Sequence, residues 1–327
     1  MIKVGTIGSG FIVDAFFDAV ERNEGIEVVA VYSRTKERAE EFAQSHHVEK
    51  YYWDLEEFLQ DEEMNFVYVA SPNSLHFSQT KAALLHGKNV ITEKPFVPTY
   101  AEAMELYDIA REKGLYLFEA ITVIHYPNYQ RIREQIGKLG KICMVQANFS
   151  QYSSRMDRLI NGEVTNAFSP AFAGGALADI NIYNLHFVCG LFGFPKEVTY
   201  FANKWENGID VSGILVLHYD DFYCSLVGAK DSASKPIVQI QGQKGYLTVH
   251  SQSSVLSDFE VVLLKERSIQ KFNEQEAVHG LYYEIRDFVQ VFASENHEQC
   301  LEWLKYTAEV VKVYEAARNS AGITFTN

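Results

Sequence analysis

The first 120 residues alternate short apolar runs with amphipathic, helix-length stretches, and this alternation restricts the fold more than any other feature of the sequence. The strand-like runs cover residues 2–7, 28–32, 66–70, 90–92 and 116–119. The helix-like stretches are residues 37–45, 74–86 and 101–113 and the segment after Gly10, where Val13, Phe16, Phe17 and Val20 recur at helical spacing. Strands that alternate with helices are joined by right-handed crossovers, so we predict a doubly wound parallel sheet.

After about residue 140 the pattern changes to strands that follow one another closely. Strand-like runs cover residues 144–149, 213–219, 222–227, 237–241, 246–249 and 259–264. Turn residues separate several of them, at Asp220-Asp221 and at residues 242–245. Two amphipathic helices close the chain, with apolar positions at Leu281, Ile285, Phe288 and Phe292 and at Leu301, Leu304, Ala308 and Val311. Such a run predicts a sheet that is mostly antiparallel.

These patterns predict an α/β protein of two domains. Residues 1–122 would form a Rossmann domain with a doubly wound parallel sheet. Residues 123–327 would form an α+β domain with a large, mostly antiparallel open sheet, whose C-terminal helix is free to pack back on the first domain. A chain of 327 residues with 47% hydrophobic residues has the length and apolar content for two cores.

The charge of the chain argues against a polyanionic partner. Its formal net charge is −14 at pH 7, and no run rich in Lys or Arg offsets this excess of acid. We therefore exclude nucleic acid as a partner. Gly5 breaks the apolar start of the chain too early for a signal peptide or a membrane span of about 20 residues. We expect a soluble, cytoplasmic protein without a membrane partner.

The four cysteines are widely dispersed, and neither their spacing nor that of the histidines is typical of a metal site or a disulfide framework. We expect no metal ion. The thiols of Cys143, Cys189, Cys224 and Cys300 are predicted to be buried, where they would act as small apolar groups.

A glycine-rich turn, Gly8-Ser9-Gly10, stands directly after the first strand and before an amphipathic helix. In that context Gly8 would permit the tight turn, and Gly10 would let the backbone approach a pyrophosphate. The helix N-terminus at Phe11 and Ile12 would offer its N–H groups and its dipole to the anion. The alternative is an ordinary strand-to-helix turn, but the alternating pattern around it favours dinucleotide binding.

The end of the second strand bears on which dinucleotide is bound. An NAD-specific domain usually places a carboxylate here, against the ribose 2′-hydroxyl, whereas this chain has Ser33, Arg34, Thr35 and Lys36. A guanidinium can bind a 2′-phosphate through two hydrogen bonds, so we predict NADP as the cofactor, with NAD as the alternative. In the simpler interpretation, Ser33 or Thr35 caps the next helix and Arg34 is a solvated charge.

Three further clusters carry candidate site residues. Two follow strands of the parallel sheet, where such sheets bind ligands: Ser71, Pro72, Asn73 and His76 after one strand, and Glu93, Lys94 and Pro95 after the next. In the first cluster Asn73 could equally cap a helix and His76 lie on its surface. The third cluster follows Gly174-Gly175 on a predicted helix, where Asp179, Tyr183 and His186 fall at i, i+4 and i+7. We expect these three polar groups to share one face and line a pocket; the alternative is a hydrogen-bonded stripe that only positions the helix.

The sequence resembles the Gfo/Idh/MocA oxidoreductases over nearly its whole length. The resemblance rests on Gly8-Ser9-Gly10, on residues 71–76, on Glu93-Lys94-Pro95, and on residues 174–179 followed by Tyr183. It implies an N-terminal Rossmann domain that binds NAD(P), a C-terminal domain whose open sheet mediates homodimers or tetramers, and a small hydroxylated substrate such as a sugar, polyol or cyclic diol. The chain departs from the pattern at Ala173 and Asn181, where glycine is common.

The resemblance also implies roles for individual residues. The lysine that matches Lys94 lies near the nicotinamide and the substrate hydroxyl, and the acid that matches Asp179 helps to hold the substrate. Tyr183 stands where dihydrodiol dehydrogenase-like members have a tyrosine and inositol dehydrogenase-like members a histidine. The segment with Arg155 and Arg158 would come near the pocket, where either arginine could bind substrate or equally remain a solvated charge.

Oxidation of a secondary alcohol needs a hydride acceptor and a base for the hydroxyl proton. A tyrosine is a poor base at pH 7, because its pKa lies roughly 3 units too high, a gap that a nearby ammonium can close with about 4 kcal/mol of phenolate stabilisation. Our hypothesis is that Tyr183 exchanges the proton, Lys94 polarises the oxygen and lowers the tyrosine pKa, and Asp179 with His186 orients or relays. Three alternatives stay open: His186 as the base, a non-catalytic NADP(H)-binding sensor or structural protein, and an enzyme that assists glycoside cleavage through a bound cofactor.

Overall fold

The computed structural model describes residues 1–276 and 278–326, which divide into two compact units. The first unit contains Met1–Ala120 and Leu281–Val311, and the second contains Ile121–Gly280 and the chain after Val311. The sequence predicted a boundary near residue 122 and a second domain of residues 123–327 whose C-terminal helix is free to pack back on the first. The structure groups Leu281–Val311 with the first unit. An amphipathic pattern shows that a helix covers a core, but it does not show which core.

The first unit is built on a six-stranded sheet in which every pair of neighbours is parallel. Its strand order is β3-β2-β1-β4-β5-β6, which is the doubly wound arrangement predicted from the sequence. The strands are β1 (Ile2–Ile7), β2 (Ile26–Tyr32), β3 (Lys50–Tyr52), β4 (Phe66–Val69), β5 (Asn89–Glu93) and β6 (Leu117–Ala120). The sequence analysis missed β3, which has three residues and too few apolar positions to show a period.

Helices connect these strands and cover the sheet. They are α1 (Phe11–Glu21), α2 (Lys36–Ser45), α3 (Leu55–Leu59), α4 (His76–Leu85) and α5 (Tyr100–Lys113). Helix α5 begins at a capping box, in which Thr99 and Glu102 satisfy each other's backbone N–H groups, and ends before Gly114 in the left-handed conformation.

Two late helices complete the core of the first unit. They are α9 (Leu281–Ala293) and the part of α10 (His297–Ser320) up to Val311. Phe288 of α9 is buried and stacks on Phe118 of β6, with ring centroids 4.5 Å apart, and Leu304 of α10 is buried as well. The return of the chain at Leu281 therefore closes the hydrophobic core of this unit.

The second unit contains an eight-stranded sheet with the order β14-β13-β12-β11-β7-β10-β9-β8. All neighbours are antiparallel except β7 and β10, so the sheet is mostly antiparallel, as predicted. The strands are β7 (Ile142–Ser150), β8 (Glu197–Lys204), β9 (Asp210–His218), β10 (Tyr223–Ala229), β11 (Ile237–Gly242), β12 (Gly245–Val249), β13 (Phe259–Leu263) and β14 (Ser268–Phe272). The sequence analysis missed β8 and β14, the two polar edge strands.

The second unit also contains the helices α6 (Pro127–Gln135), α7 (Met156–Ile160) and α8 (Ile182–Phe192). Helix α8 packs on β7 and β10 on one face of the sheet, and the opposite face is open. On the open face Phe201, Ile214, Tyr223 and Ile269 keep large exposed apolar surfaces, with 63% of Phe201 accessible to solvent. The open sheet that the sequence predicts is present.

All four cysteines are free. Three of them are buried as expected, but Cys143 is exposed, because it lies on β7 close to the end of the strand, where the helices do not cover it.

Among the residues that the structure describes, no helix combines the length and the hydropathy that crossing a bilayer requires.

Candidate active site

The glycine-rich turn has the geometry of a phosphate cradle. Gly8 has a φ of +123°, and an added Cβ would lie 2.7 Å from the carbonyl oxygen of Ala70, so any side chain here would collide with the backbone. Gly10 precedes α1, and an added Cβ would meet no atom of the described chain within 4 Å. No side chain in the described residues caps α1, and Phe11 is exposed. The backbone around Gly10 therefore fits a dinucleotide pyrophosphate.

The end of β2 presents cations and no acid over Ser33–Lys36. Arg34 and Lys36 are exposed, and the Lys36 ammonium lies 5.0 Å from the centre of the Trp53 ring. Thr35 accepts a hydrogen bond from the backbone N–H of Arg38 at 3.3 Å, so it is the helix cap that the simpler interpretation allowed.

Arg38, which the sequence did not single out, contacts the glycine-rich turn. It lies in the first turn of α2, and its guanidinium donates to the carbonyl oxygen of Ser9 at 2.8 Å and to the Ser9 hydroxyl at 3.1 Å. It also contacts Glu41. Arg38 thus joins the glycine-rich turn to the helix that follows β2. The signal in the sequence was its position three residues after the capping Thr35.

His76 is buried, which contradicts the expectation that it could lie on a helix surface. Only 1% of the residue is exposed, because its ring lies between two loops. Its Nδ1 is 3.0 Å from the carbonyl oxygen of Pro95, and its Nε2 is 3.0 Å from that of Ser71. Burial lowers the pKa of His76, and a neutral imidazole donates to one of these carbonyls at a time. His76 therefore ties together the loops after β4 and β5, and Asn73 begins a short 3₁₀ turn in the first of them.

Lys94 follows β5 directly and is partly buried. Glu93 before it is buried and accepts hydrogen bonds from the Tyr68 hydroxyl at 2.6 Å and from the Lys94 backbone N–H at 3.2 Å. Burial raises the pKa of Glu93, and the Lys94 ammonium opposes that rise. Because β1, β4 and β5 are neighbours, the structure brings the glycine-rich turn, the Ser71 loop and Lys94 to one edge of the parallel sheet.

Two more glutamates are buried in the first unit. Glu119 accepts hydrogen bonds from the Phe96 N–H at 3.2 Å and from the Thr307 hydroxyl at 2.9 Å. Glu284, on α9, is 1% exposed, and burial raises its pKa well above the ordinary value, with added repulsion from Glu93 and Glu119. The sequence analysis missed Glu284, whose signal was an acid inside the apolar stripe of α9.

In the second unit a π-helical turn, Leu177–Asn181, leads into α8 and carries Asp179. The side chain of Asp179 is 38% exposed and Tyr183 is partly exposed, whereas His186 has no exposed surface. The sequence analysis expected all three groups on one open face. The wider π turn breaks the regular spacing on which that expectation rested, and α8 is buried over most of its surface. Of the three groups, Asp179 and Tyr183 are the two that keep exposed surface.

A buried lysine, which the sequence analysis also missed, pairs with Asp179. Lys230 follows β10, and its ammonium forms a close ion pair with the Asp179 carboxylate. Asp210 on β9 is buried nearby, where it accepts hydrogen bonds from the Leu177 N–H at 2.6 Å and from the Tyr200 hydroxyl at 2.8 Å. No sequence motif marks Lys230, because it lies 51 residues from its partner.

The small residues before the π turn are required by close packing. Gly175 has a φ of +107°, and an added Cβ would collide with the Asp210 carboxylate. Ala173 adopts a left-handed φ of +51°, a conformation that favours glycine. Asn181 replaces the other expected glycine and donates to the carbonyl oxygen of Leu226 at 3.1 Å, which ties the π turn to β10. Both departures from the family pattern are therefore accommodated locally.

The two candidate substrate arginines differ in their surroundings. Arg158 is exposed and forms an ion pair with Glu163, so its guanidinium is engaged at the surface. Arg155 is half-buried, and its backbone N–H donates to Ser153. A role for either arginine in substrate binding stays a prediction. Within the described residues no group of three or more His, Cys, Asp or Glu side chains could hold a metal ion.

Comparison with known proteins gives matches along most of the chain. Residues 2–121 match the GFO/IDH/MocA oxidoreductase family, NAD-binding Rossmann fold, and residues 129–248 match the GFO/IDH/MocA C-terminal domain. The chain is 32% identical to scyllo-inositol 2-dehydrogenase (NADP(+)) IolU of Bacillus subtilis (strain 168), over 99% of this chain and 98% of that protein. It is 26% identical to trans-1,2-dihydrobenzene-1,2-diol dehydrogenase of Sus scrofa, over 99% and 98%.

A solved structure shows the same fold. A 3-ketoreductase from Actinomadura kijaniata, crystallised in complex with NADP, superimposes with a TM-score of 0.81 over 98% of this chain and 97% of that one, at 22% identity.

Proposed function

The chain belongs to the Gfo/Idh/MocA family of NAD(P)-dependent oxidoreductases, and from that premise we propose that it transfers a hydride between a nicotinamide and a secondary alcohol or carbonyl of a cyclic diol or polyol. The observation that carries the proposal is the Asp179 carboxylate, which is partly exposed next to α8 and forms an ion pair with buried Lys230; Tyr183, on α8, is also partly exposed. A hydrogen-bond acceptor and a phenol that exchanges a proton are the groups that a hydroxylated substrate requires.

The relatives narrow the substrate class. Scyllo-inositol and trans-1,2-dihydrobenzene-1,2-diol, for which two of them are named, both carry hydroxyl groups on neighbouring carbons of a six-membered ring. We extend this to the present chain and propose a ring with vicinal hydroxyls as its substrate. An ionised Asp179 would accept hydrogen bonds from such hydroxyls.

We propose that NADP is preferred over NAD. The supporting observation is the absence of an acid over Ser33–Lys36, together with three exposed cations around that segment, Arg34, Lys36 and Arg38. A 2′-phosphate is bound best by guanidinium groups, because their N–H donors match its oxygens in pairs. Arg38, held against Ser9, is already oriented by the glycine-rich turn.

We assign roles to the residues of each unit in turn. In the first, Gly8, Ser9, Gly10, Phe11 and Ile12 would bind the pyrophosphate through backbone N–H groups. The loops with Ser71, Pro72, Asn73, His76 and Glu93 would shape the nicotinamide end, and Lys94 would polarise the substrate oxygen. When bound, the nicotinamide supplies the hydride acceptor or donor.

In the second unit Asp179 would hold the substrate and Tyr183 would exchange the proton of its hydroxyl. The burial of His186 favours Tyr183 over His186 for that exchange, because a base must come within hydrogen-bond reach of the proton that it takes. We assign His186 to orientation of the α8 side chains.

The proposal is tested by following NADPH absorbance with a panel of inositols, sugars and cyclic diols. We expect turnover of at least one ring with vicinal hydroxyls, a preference for NADP, and a large loss of activity in Asp179→Asn. Tight NADPH binding without turnover of any panel member would contradict the proposal and favour the sensor or structural protein. A nucleotide that co-purifies and does not exchange would favour assisted glycoside cleavage.

We also propose that the chain self-associates through the open face of the eight-stranded sheet. Phe201 and Ile214 are paired across β8 and β9 on this face, and Tyr223 and Ile269 extend its apolar surface. Sedimentation velocity should show a dimer or tetramer in the wild type and a smaller species in Phe201→Asp. A monomeric wild type would contradict this proposal.

A further inference from the structure

Lys230 is fixed at the end of β10 by its backbone. Its N–H donates to the carbonyl oxygen of Val211 at 2.8 Å, and its own carbonyl oxygen accepts from the N–H of Ser153 at 2.9 Å. Only 3% of the residue is exposed. The direction of the side chain is therefore set by the sheet, and the ammonium has almost no contact with water.

The ammonium lies behind Asp179 rather than beside it. In their ion pair the lysine side chain is 4% exposed, while the aspartate side chain is 38% exposed. The centre of the Phe168 ring lies 5.2 Å from the Lys230 ammonium and shields it further. A molecule that arrives from solvent meets the carboxylate, and the lysine is accessible only through it.

Asp210, a buried acid near the pair, already has hydrogen-bond partners. Asp210 accepts from Leu177 and from Tyr200, and Gly175 has no side chain that would displace it. The Lys230 ammonium is close enough to Asp210 to oppose the rise in its pKa that burial causes. Asp210 thus holds the start of the π turn. The direct ion pair of Lys230 is formed with Asp179.

We propose that Lys230 is a positioning residue that keeps the Asp179 carboxylate ionised and directed outward, so that it accepts hydrogen bonds from substrate hydroxyls. The proposal rests on the proposed function in one respect, the role of Asp179 in substrate binding. A buried ammonium has a high desolvation cost, and it is retained where a neighbouring carboxylate compensates it. The same ammonium favours the ionised form of that carboxylate.

The pair also determines what kind of substrate Asp179 binds. Because the Lys230 ammonium compensates the charge of the Asp179 carboxylate, the pair as a whole carries little net charge and gains little from a cationic ligand. The carboxylate acts as an acceptor for hydroxyl groups. An uncharged ring with vicinal hydroxyls fits this better than an amino-substituted ring. The inference therefore narrows the substrate class to neutral polyols and diols.

Several titratable groups lie on the elements around the pair and contribute to any pH dependence. They are Asp210, Tyr200, Asp231, Tyr183 and His186. All five residues stay in place in the Lys230 variants, although loss of the ammonium also removes its lowering effect on the pKa of Asp210. A change in pH dependence that appears on removal of the lysine and disappears in Lys230→Arg is attributable to the charge at that position, and a signal specific to the Asp179 carboxyl separates the two acids.

The test compares Lys230→Met, which removes the charge, with Lys230→Arg, which keeps it. Lys235→Met, at an exposed lysine of the same unit, is the matched control. We expect kcat/KM of Lys230→Met for a neutral cyclic diol to fall about 10- to 100-fold at pH 7, with its acid limb moved to higher pH. The Arg variant should recover most of the activity, and NADPH affinity, measured by nucleotide fluorescence, should be unchanged in all three.

A second measurement does not depend on turnover. In protein with ¹³C-labelled aspartate carboxyls, Asp179→Asn identifies the Asp179 signal, and we expect its titration midpoint to rise in Lys230→Met. If the wild type turns over no substrate, the proposed function fails, while this titration still decides the role of Lys230. An unchanged midpoint in the folded variant would overturn the inference. Should Lys230→Met not fold, Lys230→Gln, which is neutral but keeps a donor, is judged by the same criterion.

Discussion

Each of the two units presents an acid and a lysine, with their burial reversed. In the first unit Glu93 is buried and Lys94 after it is partly exposed, whereas in the second Lys230 is buried and Asp179 is partly exposed. In each pair the outward group is the one that the proposed chemistry uses. In the second pair the buried ammonium stabilises the charge that faces solvent, and in both pairs burial and function divide between the two members.

The charges of Glu93 and Glu284 in the first unit and of Asp179 in the second are compensated differently. In the first, burial raises the pKa values of Glu93 and Glu284, which favours binding of a proton. In the second, an ammonium neutralises Asp179. A protonated carboxyl also donates a hydrogen bond. Where a carboxylate must stay ionised and only accept, a neighbouring ammonium is therefore the suitable partner.

The largest effect is expected from the outward lysine of the first pair. Lys94→Met keeps the length of the side chain and removes the charge, and we expect turnover to fall about 10²- to 10⁴-fold, as on loss of a group that assists proton transfer. Tyr183→Phe should show a loss of the same order. NADPH affinity, measured by fluorescence, should change little in either variant.

Lys113→Met, at an exposed lysine of the same unit, serves as the control for Lys94. Full activity in Lys94→Met would break the comparison, since the outward member of the pair would then have no chemical role. Full activity in Tyr183→Phe with an inactive His186→Ala would transfer the proton exchange to His186.

A smaller effect is expected at the cofactor end of the first unit. Arg38→Ala removes two hydrogen bonds to Ser9 and one proposed partner of the 2′-phosphate, and we expect NADPH to bind about 10- to 100-fold more weakly. NADH binding should change far less. Arg34→Ala should act in the same direction. If titration calorimetry shows that NADPH and NADH binding are weakened equally, the role of Arg38 is only to hold the glycine-rich turn in shape.

The buried acids with raised pKa values should make stability depend on pH. A carboxyl whose pKa is higher in the folded than in the unfolded protein contributes stability below its unfolded pKa, and this contribution is lost as pH rises through the folded pKa. For Glu284 we expect a loss of about 1.4 kcal/mol in the free energy of unfolding for each pH unit above about 4.5, until its folded pKa is reached.

Glu284→Gln should remove this slope, because the amide is neutral at every pH. Urea unfolding between pH 5 and pH 8 measures it, and Glu24→Gln, at an exposed acid of the same unit, is the control. If Glu284→Gln and the wild type lose stability in parallel, the protonated state of this acid is refuted.

The smallest effect is expected at Tyr200, which holds Asp210 near the ion pair of Lys230 and Asp179. Tyr200→Phe removes one of the two hydrogen bonds to Asp210, and the Leu177 N–H still holds that carboxylate. We expect the free energy of unfolding to fall by about 1–2 kcal/mol, with kcat/KM nearly unchanged. A large loss of kcat/KM would show that Asp210 and Tyr200 belong to the device that positions Asp179.

The sequence was sufficient for the parallel sheet and for most of the antiparallel one, because apolar periodicity is set by which face of an element is buried. It failed at β3, β8 and β14, which are short or polar edge strands. It also failed to assign α9 to the first unit. Amphipathicity is a local property, whereas the choice of core depends on where the chain returns.

The residues of the candidate site likewise divide into those that the sequence reveals and those that it does not. Gly8 and Gly10 have backbone requirements that a motif records, and the structure gives them the expected geometry. Lys230, Arg38 and Glu284 have functions or partners set by residues distant in sequence, so no local pattern reveals them. For His76 the sequence left a site residue and a helix-surface residue as alternatives, because its two carbonyl contacts come from loops that only the folded chain brings together.

The return of the chain at Leu281 has a consequence for recombination between relatives. A single crossover near residue 120 would exchange the six parallel strands but leave behind α9 and most of α10. The ring of Phe118, which stacks on Phe288 with centroids 4.5 Å apart, would then meet the corresponding residue of the other parent. Exchange of an intact first unit needs three junctions, near residues 120, 280 and 311. Chimaeras designed with one cut should express poorly, and those cut at all three should retain a closed core.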